Sequence, residues 1–258
     1  MDNKVDIIIP TYQNEQLTAA CFRSIRASTN PSSYRIVWVD NGSGDPSIPQ
    51  AELTGLNYTL IQLTSNRGFV GAVNEGLRAS TGKMVCLLNN DTKVSYGWLE
   101  KLTAILSANG SLGIVGPLTI YHKGPGVDSH HSLSLHNSLL PPEAKGWDLG
   151  RINCELEQCY FGQTRPIAFV AFLCAVIKRE VLDRVGLLDP NYAMGMYDDN
   201  DYNIAARRAG FSCELALDTC IYHRGRATFS ILEKKGLNVS RLLAKNKAYL
   251  DRKWKNRK

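Results

Sequence analysis

The sequence predicts an α/β fold on a mostly parallel sheet, and three observations carry that reading. Four apolar, strand-like runs follow one another before residue 90, and each ends in polar or Gly-rich sequence. Between them lie stretches with apolar residues at helical spacing, long enough for right-handed crossovers. The fourth run, Met84 to Leu88, stops abruptly at Asn89-Asn90-Asp91-Thr92. A buried strand followed at once by hard oxygen ligands presents a metal or phosphate at the carboxyl edge of such a sheet.

Val5 to Pro10 is the first strand, with Pro10 as its stop and Thr11-Tyr12-Gln13-Asn14-Glu15 as the loop at its end. Leu17, Cys21, Ser24 and Ile25 then mark a helix. Tyr34 to Val39 is the second strand, ending in Asp40-Asn41-Gly42-Ser43-Gly44-Asp45. Asn-Gly is a hairpin signal, but no antiparallel partner follows, so it reads as a strand-end loop. Tyr58 to Leu63 is the third strand, and Asn66 to Gly71 opens a helix through Val73, Leu77 and Ala79. Lys83 to Leu88 is the fourth. Leu99, Leu102, Ile105 and Leu106 mark another helix, and Gly113 to Gly116 a short strand. From Tyr121 to about Gln163 no period holds, and the stretch reads as a long surface excursion shaping an acceptor pocket. Ile167 to Ile177 is strand-like. Glu180, Val181, Val185 and Leu187 give a short helix ending at Gly186. The acidic knot Asp198-Asp199-Asn200-Asp201 precedes a helix through Ile204, Ala205, Arg208 and Ala209, capped by Gly210. Cys213 to Leu217 is a further strand leading to His223.

Composition narrows the function classes. A chain of 258 residues with 44% hydrophobic and 21% charged content is long enough for a sizeable core. No apolar run approaches the ~20 residues of a membrane-spanning helix, and Met1 to Lys4 leads into a strand without a signal-peptide pattern. Seven cysteines, several among apolar neighbours, suggest reduced thiols in a cytoplasmic protein rather than a disulfide framework. Cys154 and Cys159 have no second pair to complete a zinc site. The first strand lacks the glycine pattern of a dinucleotide site, and there is no P-loop. Net charge is +6, yet residues 229–258 carry ten Lys/Arg against Glu233 and Asp251, a net of +8 that leaves −2 for the remainder. A body without surplus positive charge disfavours nucleic acid as a partner. Val239, Leu242, Leu243, Asn246, Tyr249, Leu250 and Trp254 share one helical face of that tail.

Six motifs in order then resemble the inverting family 2 glycosyltransferases of GT-A fold. They are Ile-Ile-Ile-Pro-Thr-Tyr-Gln-Asn (7–14), Val-Asp-Asn-Gly-Ser-Gly-Asp (39–45), Asn-Arg-Gly-Phe-Val-Gly-Ala-Val-Asn-Glu-Gly (66–76), Leu-Leu-Asn-Asn-Asp-Thr (87–92), Tyr-Asp-Asp-Asn-Asp-Tyr (197–202) with Arg-Arg-Ala-Gly-Phe (207–211), and His223 before Gly225. Asn246 to Trp254 resembles the ending of many bacterial members, and Asn-Asn-Asp is similar to rhamnosyltransferase-like members. The resemblance implies a Rossmann-like, mostly parallel sheet flanked by helices, with a smaller antiparallel part on the acceptor side. It implies a catalytic domain over residues 1–228, divided into a nucleotide-sugar-binding half (1–117) and an acceptor half (118–228), with a basic helical tail over 229–258.

It also implies roles. Asp91 takes the place of the last Asp of the family's Asp-x-Asp and holds Mn²⁺ or Mg²⁺ on a diphosphate, with His223 as a further ligand; imidazole suits Mn²⁺ better. Asn89 stands where many members have Asp, and Asn90 lies beside it. Asp199 falls at the general base, with Asp198 in the place of the usual Glu and Asp201 on the acceptor side. Pro10, Thr11, Tyr12 and Asn14 lie where the family packs the nucleotide base. Asp40, with Asn41 beside it, falls where a carboxylate accepts the imide N–H of uracil or thymine. Arg67, Gly68 and Asn74 flank the ribose and diphosphate. The partners implied are a UDP- or dTDP-sugar and a glycan, glycolipid or other hydroxyl acceptor.

Simpler readings stand beside these. Asp91 serves equally as a helix cap, the acidic knot as a solvated helix N-terminus, and His223 as a satisfied histidine. The histidines at 122, 130, 131 and 136 fit no regular metal spacing. The tail is a solvated helix packed on the body or an attachment to an anionic membrane surface at the inner face of the membrane. Rival functions are a sugar-nucleotide pyrophosphorylase, which needs a Gly-rich basic loop after the first strand, and a non-catalytic nucleotide-sugar-binding module.

Overall fold

A computed structural model of the chain describes residues 4–121, 139 and 147–255. The four histidines at 122–136 and much of the 121–163 excursion lie outside the described residues. The first half alternates as the sequence predicts: β1 (Val5–Thr11), α1 (Glu15–Ser28), β2 (Tyr34–Asp40), a short α2 (Ser47–Ala51), β3 (Tyr58–Gln62), α3 (Gly68–Ala79) and β4 (Met84–Leu88). Then come β5 (Thr92–Val94), α4 (Trp98–Ala108), β6 (Leu112–Tyr121), α5 (Leu149–Tyr160), β7 (Thr164–Pro166), β8 (Cys174–Lys178) and α6 (Arg179–Val185). A 3₁₀ turn at Pro190–Tyr192, α7 (Asp198–Arg208), β9 (Ser212–His223), α8 (Ala227–Lys234) and α9 (Val239–Lys255) complete the described elements.

One sheet joins the strands in the order β3-β2-β1-β4-β8-β6-β9-β5, with β7 also paired to β9. The β1–β4 part is wholly parallel, and β8 runs antiparallel to both β4 and β6. β6 and β9 are parallel, while β5 and β7 pair antiparallel with β9. The smaller antiparallel part is therefore present beside the parallel one. Helices cover both faces. Phe22, Ile25, Trp98 and Leu102 pack on one side, and Val73, Leu77, Val181 and Ala206 on the other. The tail helix also packs on the body, as its apolar stripe implies, with Tyr249 and Leu250 against the second cluster.

Four expectations need correction. Pro10 does not end β1, which runs on to Thr11. The Thr11 carbonyl bonds the Asn41 N–H on the β2 side, so Pro10 faces the β4 side, where pairing stops at Ile8 and Leu87. Its missing N–H interrupts no ladder there. The stretch read as structureless contains α5, capped by Asp148, whose carboxylate accepts the Arg151 N–H at 2.8 Å. Its Asn153 meets the β9 bulge, accepting from Thr219 Oγ1 and the Cys220 N–H.

Ile167 to Leu173 is not strand. Strand pairing begins only at Cys174, because the Asn203 carboxamide takes over the Val170 backbone, accepting its N–H and donating to its carbonyl, both at 3.0 Å. Finally, β5 was not expected at all. Its three residues pair antiparallel with β9.

Candidate active site

The carboxyl ends of β1, β2 and β4 open into a cavity of about 720 Å³. Of the residues singled out in the sequence, Pro10, Thr11, Tyr12, Asn41, Gly68, Asn89, Asn90, Asp91, Asp198, Asp199 and His223 line it. The Trp38 indole donates to Thr11 Oγ1 at 2.8 Å and fixes that hydroxyl. Asn41 accepts the Arg67 N–H at 2.8 Å and donates to the Gly68 carbonyl at 3.1 Å, holding the mouth of α3 against the end of β2.

β5 explains how Asp91 and His223 meet. Its antiparallel register sets Thr92 opposite His223, and the Arg224 N–H bonds the Asp91 carbonyl at 2.9 Å. The His223 Nε2 consequently lies 3.0 Å from Asp91 Oδ1, with both side chains mostly buried. A carboxylate and an imidazole form a donor set suited to Mn²⁺ or Mg²⁺. Among the described residues no group of three or more His, Cys, Asp and Glu is disposed to hold a metal. Asp91 and His223 would supply two of the ligands such a cation needs.

The acidic knot forms the first turn of α7. It is a helix N-terminus, as the simpler reading has it, but Asp198 and Asp201 are buried rather than solvated. Burial, with Asp199 and Asp201 nearby, pushes the Asp198 carboxyl well above the usual carboxylate range. Burial also raises Asp199, to about 6, while N–H groups of Asn200 and Phe172 favour its ionised form. Burial thus disfavours the charged form of both carboxyls.

The segment before this turn is strained. Ala193, Met196 and Tyr197 all have positive φ (40°, 71° and 69°), each at a cost of order 1–3 kcal/mol. Gly68 has φ +75°, and a Cβ there would overlap the Ala193 carbonyl, which accepts the Val70 N–H at 3.1 Å. Gly68→Ala is expected to lower stability by about 2 kcal/mol or more. Thermal unfolding would show it as a loss of roughly 4–8 °C in Tm.

Five candidates do not line the cavity. Asn14 initiates α1 in a left-handed conformation. Asp40 Oδ1 accepts the Ser43 N–H at 3.1 Å and shapes its own loop. Arg67 extends outward to Glu75 at 3.3 Å. Asn74 is a buried tie between α3 and Leu188, donating to its carbonyl at 2.9 Å and accepting its N–H at 3.0 Å. Asp201 turns from the acceptor side to the tail, accepting from Lys253 Nζ at 2.8 Å and Trp254 Nε1 at 2.7 Å.

Sequence reasoning missed the apolar wall. Phe169 and Phe172 come from the run misread as strand, Met194 to Tyr197 from the strained segment, and Phe229 and Leu232 from α8. Over Tyr12, Lys235 Nζ donates to the hydroxyl at 2.7 Å and lies 4.9 Å from the ring centroid. The Gly225-Arg226 step after His223, with Arg226 at φ 58°, was the available signal that the chain turns back over the site.

Known proteins share this architecture. The chain is similar to the mannosyltransferase PcManGT from Pyrobaculum calidifontis, solved with GDP-Man and Mn²⁺, with a TM-score of 0.64 and 21% identity over 88% of this chain and 59% of that one. It is similar to S. aureus TarS 1-349 in complex with UDP-GlcNAc, with a TM-score of 0.63 and 17% identity over 86% and 59%. In sequence it is 28% identical to glycosyltransferase AglE of Haloferax volcanii over 110 residues, 41% of this chain and 36% of that protein. It spans about a quarter to a half of the length of curated relatives that it matches. The solved structures share its GT-A fold, and the model described as "Glycosyl transferase family 2" matches residues 6–186, so the chain belongs to glycosyl transferase family 2.

Proposed function

We propose that the chain is a metal-dependent inverting glycosyltransferase, moving a sugar from a UDP- or dTDP-type donor to a hydroxyl of a surface glycan or glycoconjugate. The observation that supports it is the convergence on one cavity of two unlike pairs, Asp91–His223 and Asp198–Asp199. In this reading Pro10 to Tyr12 and Asn41 receive the nucleoside, and Asn89 to Asp91 face the diphosphate. Asp91 and His223 would hold a divalent cation, which would supply positive charge against the leaving diphosphate. Asp199 accepts the acceptor hydroxyl's proton on its carboxylate. The hydroxyl oxygen attacks the anomeric carbon opposite the breaking bond to the diphosphate, which gives inversion. Phe169, Phe172 and Phe229 keep water from competing as acceptor.

Residues 1–228, with halves at 1–117 and 118–228, form the main catalytic unit in this reading, and 229–258 a basic tail whose Phe229 and Leu232 close one wall of the cavity. No described helix is long and apolar enough to cross a membrane. Arg241, Lys245, Arg252 and Lys255 of α9 are exposed, which favours docking at an anionic membrane surface, on its cytoplasmic side, near a lipid-linked acceptor.

A donor screen with Mn²⁺, following nucleotide release by mass spectrometry, tests the reading. Release of UDP or dTDP from one sugar nucleotide is expected, with loss of that release on chelation. Formation of a nucleoside triphosphate from donor and pyrophosphate would instead favour the pyrophosphorylase. Binding without any release would leave the non-catalytic module.

A further inference from the structure

α9 is a surface helix, and Asn246 is its one fully buried residue, at 1% exposure. A buried carboxamide on a helix whose other residues are half-buried or exposed needs partners, and these are unusual. Its Nδ2 donates to the carbonyls of Gly195 at 2.9 Å and Met196 at 3.0 Å, with that of Tyr192 at 3.5 Å. All three acceptors belong to the segment whose left-handed residues lead into Asp198 and Asp199. Strain of that kind persists only where the surroundings over-determine it. Gly68 and Val70 hold the segment from the side of α3, and Asn246 holds it from the other.

Further along the same helix, Lys253 bridges Asp189 at 2.7 Å and Asp201 at 2.8 Å. The helix thus grips the chain ahead of the acidic turn and within it. Neither Asn246 nor Lys253 lines the cavity.

We propose that Asn246 is a positioning residue. By gathering the Tyr192, Gly195 and Met196 carbonyls, it fixes the direction in which the first turn of α7 presents Asp199 to the acceptor hydroxyl. The basic tail is on this account part of the active site's framework, whatever surface its exposed face meets. The inference rests on the glycosyltransferase reading for its kinetic arm only.

The test uses the full chain with Asn246→Leu, similar in shape but without a donor, and Asn246→Gln, which keeps the donor on a longer stem. Amide hydrogen exchange, donor KM and kcat are measured for each. In the Leu variant the amides of 193–199 are expected to exchange at least about tenfold faster, while those of β1–β4 stay protected. Its kcat is expected to fall about 10²-fold with donor KM within about threefold, and the Gln variant to fall between it and the parent.

Unchanged exchange at 193–199 would overturn the proposal. So would faster exchange with kcat within about twofold of the parent, or a parallel loss of Tm, donor affinity and turnover, which assigns Asn246 to folding alone. If the Leu variant does not fold, the same readings on the Gln variant decide. If the chain releases no nucleotide from any donor, the functional reading fails, and the exchange arm still decides whether Asn246 holds the segment.

Discussion

Replacing Asp199 by Asn is expected to lower sugar transfer by about 10³-fold while donor affinity stays within about twofold. The substitution keeps the shape and one oxygen that can accept the Asn200 N–H but removes the site for the acceptor's proton. The choice of Asp199 over Asp198 follows from their surroundings. Both line the cavity, but burial beside Asp199 and Asp201 raises the Asp198 carboxyl well above the usual carboxylate range, whereas Asp199 is raised to about 6. Turnover is therefore expected to rise with pH through about 6 and level off above it, because the base works only when ionised. Wild-type-like turnover in Asp199→Asn would remove Asp199 from the role.

The same shift has a consequence for stability. A carboxyl whose pKa is raised on folding binds its proton more tightly in the folded chain than in the unfolded one. It therefore lowers stability as pH climbs from the ordinary value near 4 through about 6. Asn carries no such penalty. Asp199→Asn is thus expected to melt higher than the parent at pH 8 and close to it at pH 4. A variant that loses turnover and gains Tm at pH 8 has lost a group kept for chemistry. One that loses both has lost a structural group.

The parallel half of the fold was legible because β1, β2 and β4 are buried on both faces and read as near-continuous apolar runs, each stopped by polar residues at the open edge. That logic failed where a side chain replaced a ladder. The Ile167–Leu173 run has strand composition, but its backbone is bonded to Asn203, thirty-three residues away, and no local pattern announces that. Motif position likewise placed Asn74 and Asp201 near the site without showing where they point. Asn74 bonds a backbone 114 residues distant, and Asp201 bonds a helix 53 residues on. The Asp91–His223 pairing came only from resemblance, since the strand that makes it, β5, is too short to show a period.

Asp91→Asn is the second large effect, expected to weaken Mn²⁺-supported UDP or dTDP binding by at least the roughly 10–100-fold that losing even an outer partner of a metal site costs. Asp91 would be the single acidic ligand of the Asn89–Asp91 stretch, because Asn89 and Asn90 contribute no charge. His223→Ala is the matching variant. The β5–β9 register and the Arg224 N–H to Asp91 bond are made by backbone, so the fold should survive removal of the imidazole while the metal is lost. The competing account makes the 3.0 Å contact between His223 and Asp91 an end in itself, tying β9 to the end of β4. The two accounts part on chelation. If the pair holds a cation, nucleotide affinity measured calorimetrically falls with EDTA in the parent and is insensitive to EDTA in both variants. If the pair is only a tie, EDTA changes nothing in the parent, and both variants lose Tm instead of affinity.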